Sequence, residues 1–356
     1  MYPTTEFSIL PRRFPPEIIA HIIHLALPSL HVTTPLQPRY DLLSKFCLVS
    51  HTWREISQPL LLTYIEFTPA RSRLEKLIQT ETRMGAMSSM LEKAEFVRVG
   101  RSGTGGGYFS FREAEWSWLT EKCPRIATIW LEHAAGPMME HLCAFKNLKF
   151  LHFGGCATWF INFDKNACLP TLEHLSLATS AGVELDSLLK ITISVFPKLK
   201  CLTILGAQFI DSTFPTSPTP LTRAISTLVF MGDIRNEARV QLPILALFPY
   251  VRKLRLGRWV QEIPFPARIR ALPEISLEDL TLEWHCATDA EIVEGLGERS
   301  LANLKRLRVS YYEEHDEVEN EDLVRVRKEC AQRGIEFVEC WWSADEKAQK
   351  GSYYWV

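Results

Sequence analysis

The sequence lacks several patterns that mark common functional classes. Its nine cysteines include no Cys-x-x-Cys pair, so their spacing indicates no zinc or thioredoxin-like site. No apolar run approaches the roughly 18 residues of a membrane span, and residues 1–7 lack the basic start of a secretory signal. Lys and Arg number 40 against 42 Asp and Glu, a formal net charge of −2. We therefore expect no membrane or nucleic-acid partner and a cytoplasmic or nuclear protein whose thiols stay reduced.

The sequence also lacks an arrangement that indicates catalysis. No grouping suggests a nucleophile, a base and an orienting acid. His21 and His24 lie three residues apart on a predicted helix, but no glutamate follows in a zinc-protease pattern and no further ligand is near. We expect no catalytic residue, no metal site and no cofactor, so that the protein is not an enzyme.

What the sequence does contain is a repeated apolar spacing: one apolar residue, two variable residues, a second apolar residue, one variable residue and a third. The pattern places the last two apolar residues on one face of a short strand. Its copies are Ile126/Ile129/Leu131, Leu148/Leu151/Phe153, Leu172/Leu175/Leu177, Leu199/Leu202/Ile204, Ile225/Leu228/Phe230, Val251/Leu254/Leu256, Leu277/Leu280/Leu282 and Leu304/Leu307/Val309. Weaker copies are Ala94/Val97/Val99 and Ile335/Val338/Cys340. The first positions follow one another after 22, 24, 27, 26, 26, 26 and 27 residues.

This period and spacing resemble the leucine-rich repeat family. The resemblance implies a mixed α/β solenoid, a horseshoe whose units stack and form a parallel sheet on the concave side. Each unit buries only one strand face, so neighbouring units must cover its open sides, and roughly three or more are needed for a stable core.

Strand side chains alternate faces, so residues next to the apolar pairs are expected on the concave side. The middle positions change from Trp130 and His152 in early repeats to Arg255 and Arg308 in later ones, and end at Glu339. Aromatic and arginine side chains often carry binding energy at interfaces. The predicted target-binding residues are Trp130, Phe150, His152, Lys253, Arg255, Arg306 and Arg308. The alternative is that charges of opposite sign neutralise one another and solvate the sheet.

Residues 14–67 do not follow the repeat. Pro16 and Glu17 mark the start of a helix that continues with apolar residues at Ile18, Ile19 and Ile22. A second helix is expected near residues 40–49, and a third from Ser50 to a break before Pro59. Three such helices form a small core and usually need a partner or a neighbouring domain to cover an apolar face.

The series Phe14-Pro15-Pro16-Glu17-Ile18-Ile19, then Leu43, then Val49 and Trp53 resembles an F-box. Members of that family dock on the Skp-type adaptor of a cullin-RING ubiquitin ligase. The adaptor-binding residues implied by the resemblance are Phe14, Pro15, Ile18, Ile19, Ile22, Leu43, Val49 and Trp53. Phe14 replaces the usual leucine, His51 and Thr52 replace the common basic pair, and the loop after the first helix is longer.

Together the two resemblances imply the substrate-recognition subunit of an SCF-type ligase, which holds an unknown target protein on the concave sheet and contributes proximity rather than chemistry. The expected segments are an N-terminal extension (1–13), the F-box-like module (14–67), a connecting helix (68–93), the repeat solenoid (94–340) and an aromatic tail (341–356). The alternative is a leucine-rich-repeat interaction scaffold with no link to ubiquitin, whose N-terminal helices cap the solenoid.

Overall fold

The structure is a computed structural model that describes most of the chain. The described residues are 14–28, 36–67, 76–80, 91–100, 111–132, 139–154, 168–178, 194–205, 217–231, 245–257, 264–270, 272, 277–283, 286–312 and 321–342. They fall into two compact units, a helical unit up to Tyr64 and a sheet unit from Ile65 onward. The expected N-terminal extension and residues 343–356 of the expected tail lie outside the described residues.

The helical unit contains α1 (Pro16–Ala26), α2 (Gln37–Phe46) and α3 (His51–Thr63). Pro16 supplies the fixed φ of the first helical position, and the hydroxyl of Ser50 accepts a hydrogen bond from the backbone N–H of Trp53 at the start of α3. The expected break before Pro59 is wrong, because α3 continues through this proline. Leu60 and Leu61 pack against the core of the unit, and this packing offsets the backbone hydrogen bond that Pro59 cannot donate.

The core of the helical unit consists of Ile19, Ile23, Leu27 and Leu43, with Phe46 and Trp53 packed against it. It uses one face of α1, since Ile19 and Ile23 are four residues apart and Leu27 continues the same line. Among the described residues, four apolar side chains are buried in this cluster, so the core is small.

The sheet unit is built on one fully parallel sheet whose strands lie in the order of the chain. The strands are β1 (Tyr64–Phe67), β2 (Phe96–Val99), β3 (Thr128–Glu132), β4 (Phe150–Gly154), β5 (His174–Ala178), β6 (Cys201–Leu205), β7 (Thr227–Met231), β8 (Lys253–Leu256), β9 (Asp279–Leu282), β10 (Arg306–Tyr312) and β11 (Glu336–Trp342). The predicted mixed α/β class and parallel sheet are confirmed, and β1 occupies residues that the sequence placed at the end of the helical module.

Helices follow or precede the strands on one side of the sheet. They are α4 (Glu113–Lys122), α5 (Met139–Cys143), α6 (Pro220–Ala224), α7 (Phe265–Arg270), α8 (Asp289–Leu296) and α9 (Glu321–Gln332), with a 3₁₀ turn at Arg299–Leu301. Residues 76–80 of the expected connecting helix are helical, and Leu77 and Ile78 pack against the core; its residues 68–75 and 81–90 lie outside the described part.

The core of the sheet unit lies between the helices and one face of the sheet. The register aligns the last two apolar positions of successive repeats: Leu151 pairs with Leu175, which pairs with Leu202. Helix residues such as Trp116 and Ile292 complete the same continuous cluster. The opposite face, called here the helix-distal face, carries the middle residues of the strands.

The last strand departs from the expected register. Phe337 pairs with Leu307, so that Val338 pairs with Arg308 and Glu339 with Val309. The predicted repeat at 335/338/340 and the concave position of Glu339 are therefore wrong. Phe337 follows buried Ile335 after two positions, whereas the matching step in the preceding repeats is three positions. A shift of one residue moves every side chain to the other face.

Candidate binding surfaces

The helical unit exposes a row of apolar side chains on α1. Ile18, Ile22 and Leu25 lie at intervals of four and three residues, so they share one face of the helix. Phe14 precedes them with 63% of its surface exposed, and Leu25 is 73% exposed. Leu48 and Val49, just before α3, are also exposed. The face of α1 that carries Ile19 and Ile23 packs inward, so this helix is apolar on two faces.

The structure separates the predicted adaptor-binding residues into two groups. Phe14, Pro15, Ile18, Ile22 and Val49 are exposed, and none of them belongs to the core cluster.

The inclusion of Ile19 and Leu43 needs correction, because both are buried in the core of the unit. Trp53 is partly buried, and its ring lies 5.1 Å from that of Phe46. Ile19 and Leu43 belong to the core of the unit, and Trp53 packs against it. Leu25 and Leu48 were missed by the sequence reasoning, although the spacing of Leu25 from Ile18 and Ile22 gave a signal for it.

On the sheet unit, the helix-distal face has one part whose middle side chains are buried and one part whose middle side chains are accessible. Its middle row runs through Arg98, Trp130, His152, Ser176, Thr203, Val229, Arg255, Thr281 and Arg308, in register on β2 to β10. The residues from Arg98 to Val229 are buried, whereas Arg255 and Thr281 are partly exposed and Arg308 is exposed. Only the part from β8 onward offers its middle row to a ligand.

The buried part is filled by stacked and hydrogen-bonded side chains. The Trp130 and His152 rings are stacked, and the indole Nε1 donates to Glu132 Oε1 over 2.8 Å. His152 Nδ1 is hydrogen-bonded to Ser176 Oγ, also at 2.8 Å. Trp130 and His152 are each 1% exposed. The structure thus buries these two predicted target contacts, while Phe150 remains partly exposed beside them.

Burial keeps the imidazoles of this cluster neutral. Desolvation, then the nearby His174 and Arg98, hold the pKa of His152 well below its usual value. Desolvation lowers the pKa of His174 to about 4, and its Nε2 is hydrogen-bonded to Thr203 Oγ1 at 2.9 Å. The Ser176–His152 pair has the elements of a nucleophile and a base, but both side chains are too deeply buried for a substrate to reach them.

Glu132 joins this cluster to the first strands. Its Oε2 accepts a hydrogen bond from Arg98 Nη2 at 3.2 Å, and Arg98 Nη1 lies 3.9 Å from Glu66 Oε1. Glycines flank it on both neighbouring strands: a Cβ on Gly100 would lie 2.8 Å from Glu132 Cβ, and one on Gly154 would lie 2.8 Å from His152 Nε2. Neither position has room for a side chain unless a neighbouring residue moves.

The open part of the face carries four cations, two of which are ion-paired. Arg255 Nε donates to Glu283 Oε1 over 2.7 Å, and Arg306 pairs with Glu336 at 2.8 Å and with Asp279 at 3.9 Å. Lys253 and Arg308 are exposed and have no ion-pair partner among the residues that the structure describes. The predicted neutralisation of charges thus holds for Arg255 and Arg306, and the other two remain available.

Within the described ranges, no group of three or more His, Cys, Asp or Glu side chains is placed to hold a metal ion. None of the described helices is both long enough and apolar enough to cross a membrane. No protein-family model matches this chain, and no curated protein is significantly similar to it.

Proposed function

We propose that this protein is a substrate receptor of an SCF-type ubiquitin ligase, which docks on the Skp-type adaptor through the helical unit and holds a target protein on the helix-distal face. The observation that carries the proposal is the apolar row of Phe14, Ile18, Ile22 and Leu25, exposed on a helix whose other face already forms a core. Apolar side chains exposed contiguously on a small unit mark an interaction site.

The position of this row agrees with the resemblance of residues 14–67 to an F-box. Phe14, Pro15 and Ile18 belong to the opening of that motif, and Val49 belongs to its later part; all are exposed. The proposed role requires no catalytic group in this chain, since a receptor raises the local concentration of target lysines.

The test is a calorimetric titration of the full-length protein with the Skp-type adaptor. We expect saturable one-to-one binding, weakened by about 100-fold in an Ile18→Asp/Ile22→Asp variant, because two carboxylates would be desolvated in an apolar interface. Both residues are partly or well exposed, so the fold is expected to survive, which circular dichroism checks.

The matched control is Ala114→Asp/Ser117→Asp, which adds the same charge at exposed positions in the first half of α4. It is expected to bind like the wild type. If the folded wild-type protein does not bind the adaptor, the proposal fails, and a repeat scaffold with capping helices becomes the better description.

A further inference from the structure

We infer that the open part of the helix-distal face, from β8 to β10, binds an extended acidic segment of a target protein, with Lys253 and Arg308 each pairing with one carboxylate. The inference rests on the proposed function, because it specifies what the receptor holds. It uses only residues of the sheet unit.

Accessibility limits the site to this part of the sheet. Toward β2, the middle row is closed by Trp130, His152 and their neighbours. A ligand that lies along the face contacts the middle row only where Arg255, Thr281 and Arg308 are accessible. The indole of Trp130, which would favour an apolar ligand, is thus buried, and charged and hydroxyl groups define the open part of the middle row.

The charges of this surface favour an anionic ligand. Its four cations, Lys253, Arg255, Arg306 and Arg308, face three carboxylates, those of Asp279, Glu283 and Glu336, and all three carboxylates lie within 4.0 Å of a paired arginine. The carboxylates are therefore already satisfied. Lys253 and Arg308 have no such partner among the described residues, so an incoming carboxylate gains a charge-assisted hydrogen bond at each without displacing another.

The register fixes the separation of the two cations. Lys253 pairs with Asp279 and Asp279 with Arg306, so Arg308 lies two strands and two residues away from Lys253. With about 4.8 Å between strands and about 3.3 Å per residue, their Cα atoms are about 12 Å apart. An extended peptide covers about 12 Å in three to four residues. The structure thus favours a ligand with two acidic side chains three or four residues apart.

The hydroxyl group of Thr281 lies between the two sides of this site. It stands in the middle row between Arg255 and Arg308 and is partly exposed. A hydroxyl group both donates and accepts hydrogen bonds, so Thr281 is suited to the backbone of a segment held at its two acidic side chains.

The test is a selection of random 12-residue peptides, displayed on phage, on the immobilised full-length protein. We expect enrichment of peptides with two Asp or Glu residues three or four apart. A synthetic peptide of the enriched sequence is expected to bind Lys253→Ser/Arg308→Ser about tenfold more weakly than the wild type. Its affinity is also expected to fall as salt is added.

The matched control is Arg270→Ser/Arg325→Ser, which also removes two positive charges. Both arginines are exposed on helices, where Arg270 pairs with Glu298 and Arg325 pairs with Asp322. It should bind the peptide like the wild type. The inference is overturned by failure to enrich any peptide, by enriched peptides without the acidic pair, or by an equal loss in the control variant.

Failure of this inference is distinguishable from failure of the proposed function. A chain that binds the Skp-type adaptor but no acidic peptide rejects the inference alone. A chain that selects acidic peptides but does not bind the adaptor retains the acidic-ligand site on the sheet and rejects the ligase role.

Discussion

The imidazole of His152 lies flat against the indole of Trp130, with 3.4 Å between the ring centroids and 13° between the planes. The two residues are register partners on β3 and β4, so the stack ties adjacent strands together on the helix-distal face. A hydrogen bond from the same imidazole to Ser176 extends this link to β5.

Acid is expected to destabilise the sheet unit through the buried histidines. The pKa of His174 is about 4 in the folded chain and about 6.5 in the unfolded chain. The unfolded state therefore binds more protons between these values, and stability falls as the pH falls. The loss from His174 alone is roughly 3 kcal/mol at pH 4, which urea unfolding at pH 4 to 8 measures.

A His174→Asn variant is expected to show a smaller loss of stability between pH 7 and pH 4, even if it is less stable throughout. The control variant is His24→Asn, which makes the same substitution at an exposed position on α1. Equal slopes for wild type and His174→Asn would contradict the assignment of this loss to His174.

Adjacent isoleucines on α1 are expected to have opposite roles. Ile23 is fully buried in the core of the helical unit, whereas Ile22 belongs to the exposed row. Ile23→Ala should cost about 2 to 4 kcal/mol of stability. Ile22→Ala should cost less than about 1 kcal/mol while weakening adaptor binding. Thermal unfolding and calorimetry of both variants test this pair, and similar stability losses would refute it.

The Arg255–Glu283 ion pair is expected to contribute to the free energy of unfolding. Removing one partner is expected to cost more stability than the pair itself contributes, because the other charge is left unpaired. Both side chains are largely shielded from water, so Arg255→Ala should cost about 1 to 3 kcal/mol by leaving a shielded carboxylate unpaired. The double variant with Glu283→Ala should be less destabilised than the sum of the single variants. A double-mutant cycle measures the coupling, and simple additivity would show that the pair contributes nothing.

Cysteine labelling should follow burial. Cys168 is exposed, while Cys123 and Cys286 are buried and have pKa values raised to about 12 by desolvation. At pH 7.5, iodoacetamide should alkylate Cys168 and spare the other two, because the thiolate is the reactive form. Mass spectrometry of the native and guanidinium-unfolded protein makes the comparison. Early labelling of Cys286 in the native protein would contradict its buried position.

The apolar spacing predicted the strands well because each strand buries one alternate set of side chains. The repeat at Leu172, Leu175 and Leu177 gave the strand at residues 174–178 and its inward face. The same alternation predicted which residues lie on the opposite face. Whether the sheet unit is a solenoid of the leucine-rich repeat family stays a prediction.

The apolar spacing did not predict which side chains on the helix-distal face are buried and which are exposed. Alternation places Trp130 and Arg308 on the same face, but the first is buried and the second exposed. The difference comes from neighbours on other strands, such as His152 beside Trp130 and Val338 beside Arg308. The resemblance to an F-box likewise implied that both Ile18 and Ile19 bind the adaptor, whereas Ile18 is exposed and Ile19 is buried.

The strictly sequential order of the strands also bears on how the chain acquires its structure. In the part of the chain that the structure describes, each strand pairs only with strands adjacent in sequence, so each of these pairings spans a single connection. A sheet built in this order can grow from β1 while later strands are still being synthesised on the ribosome.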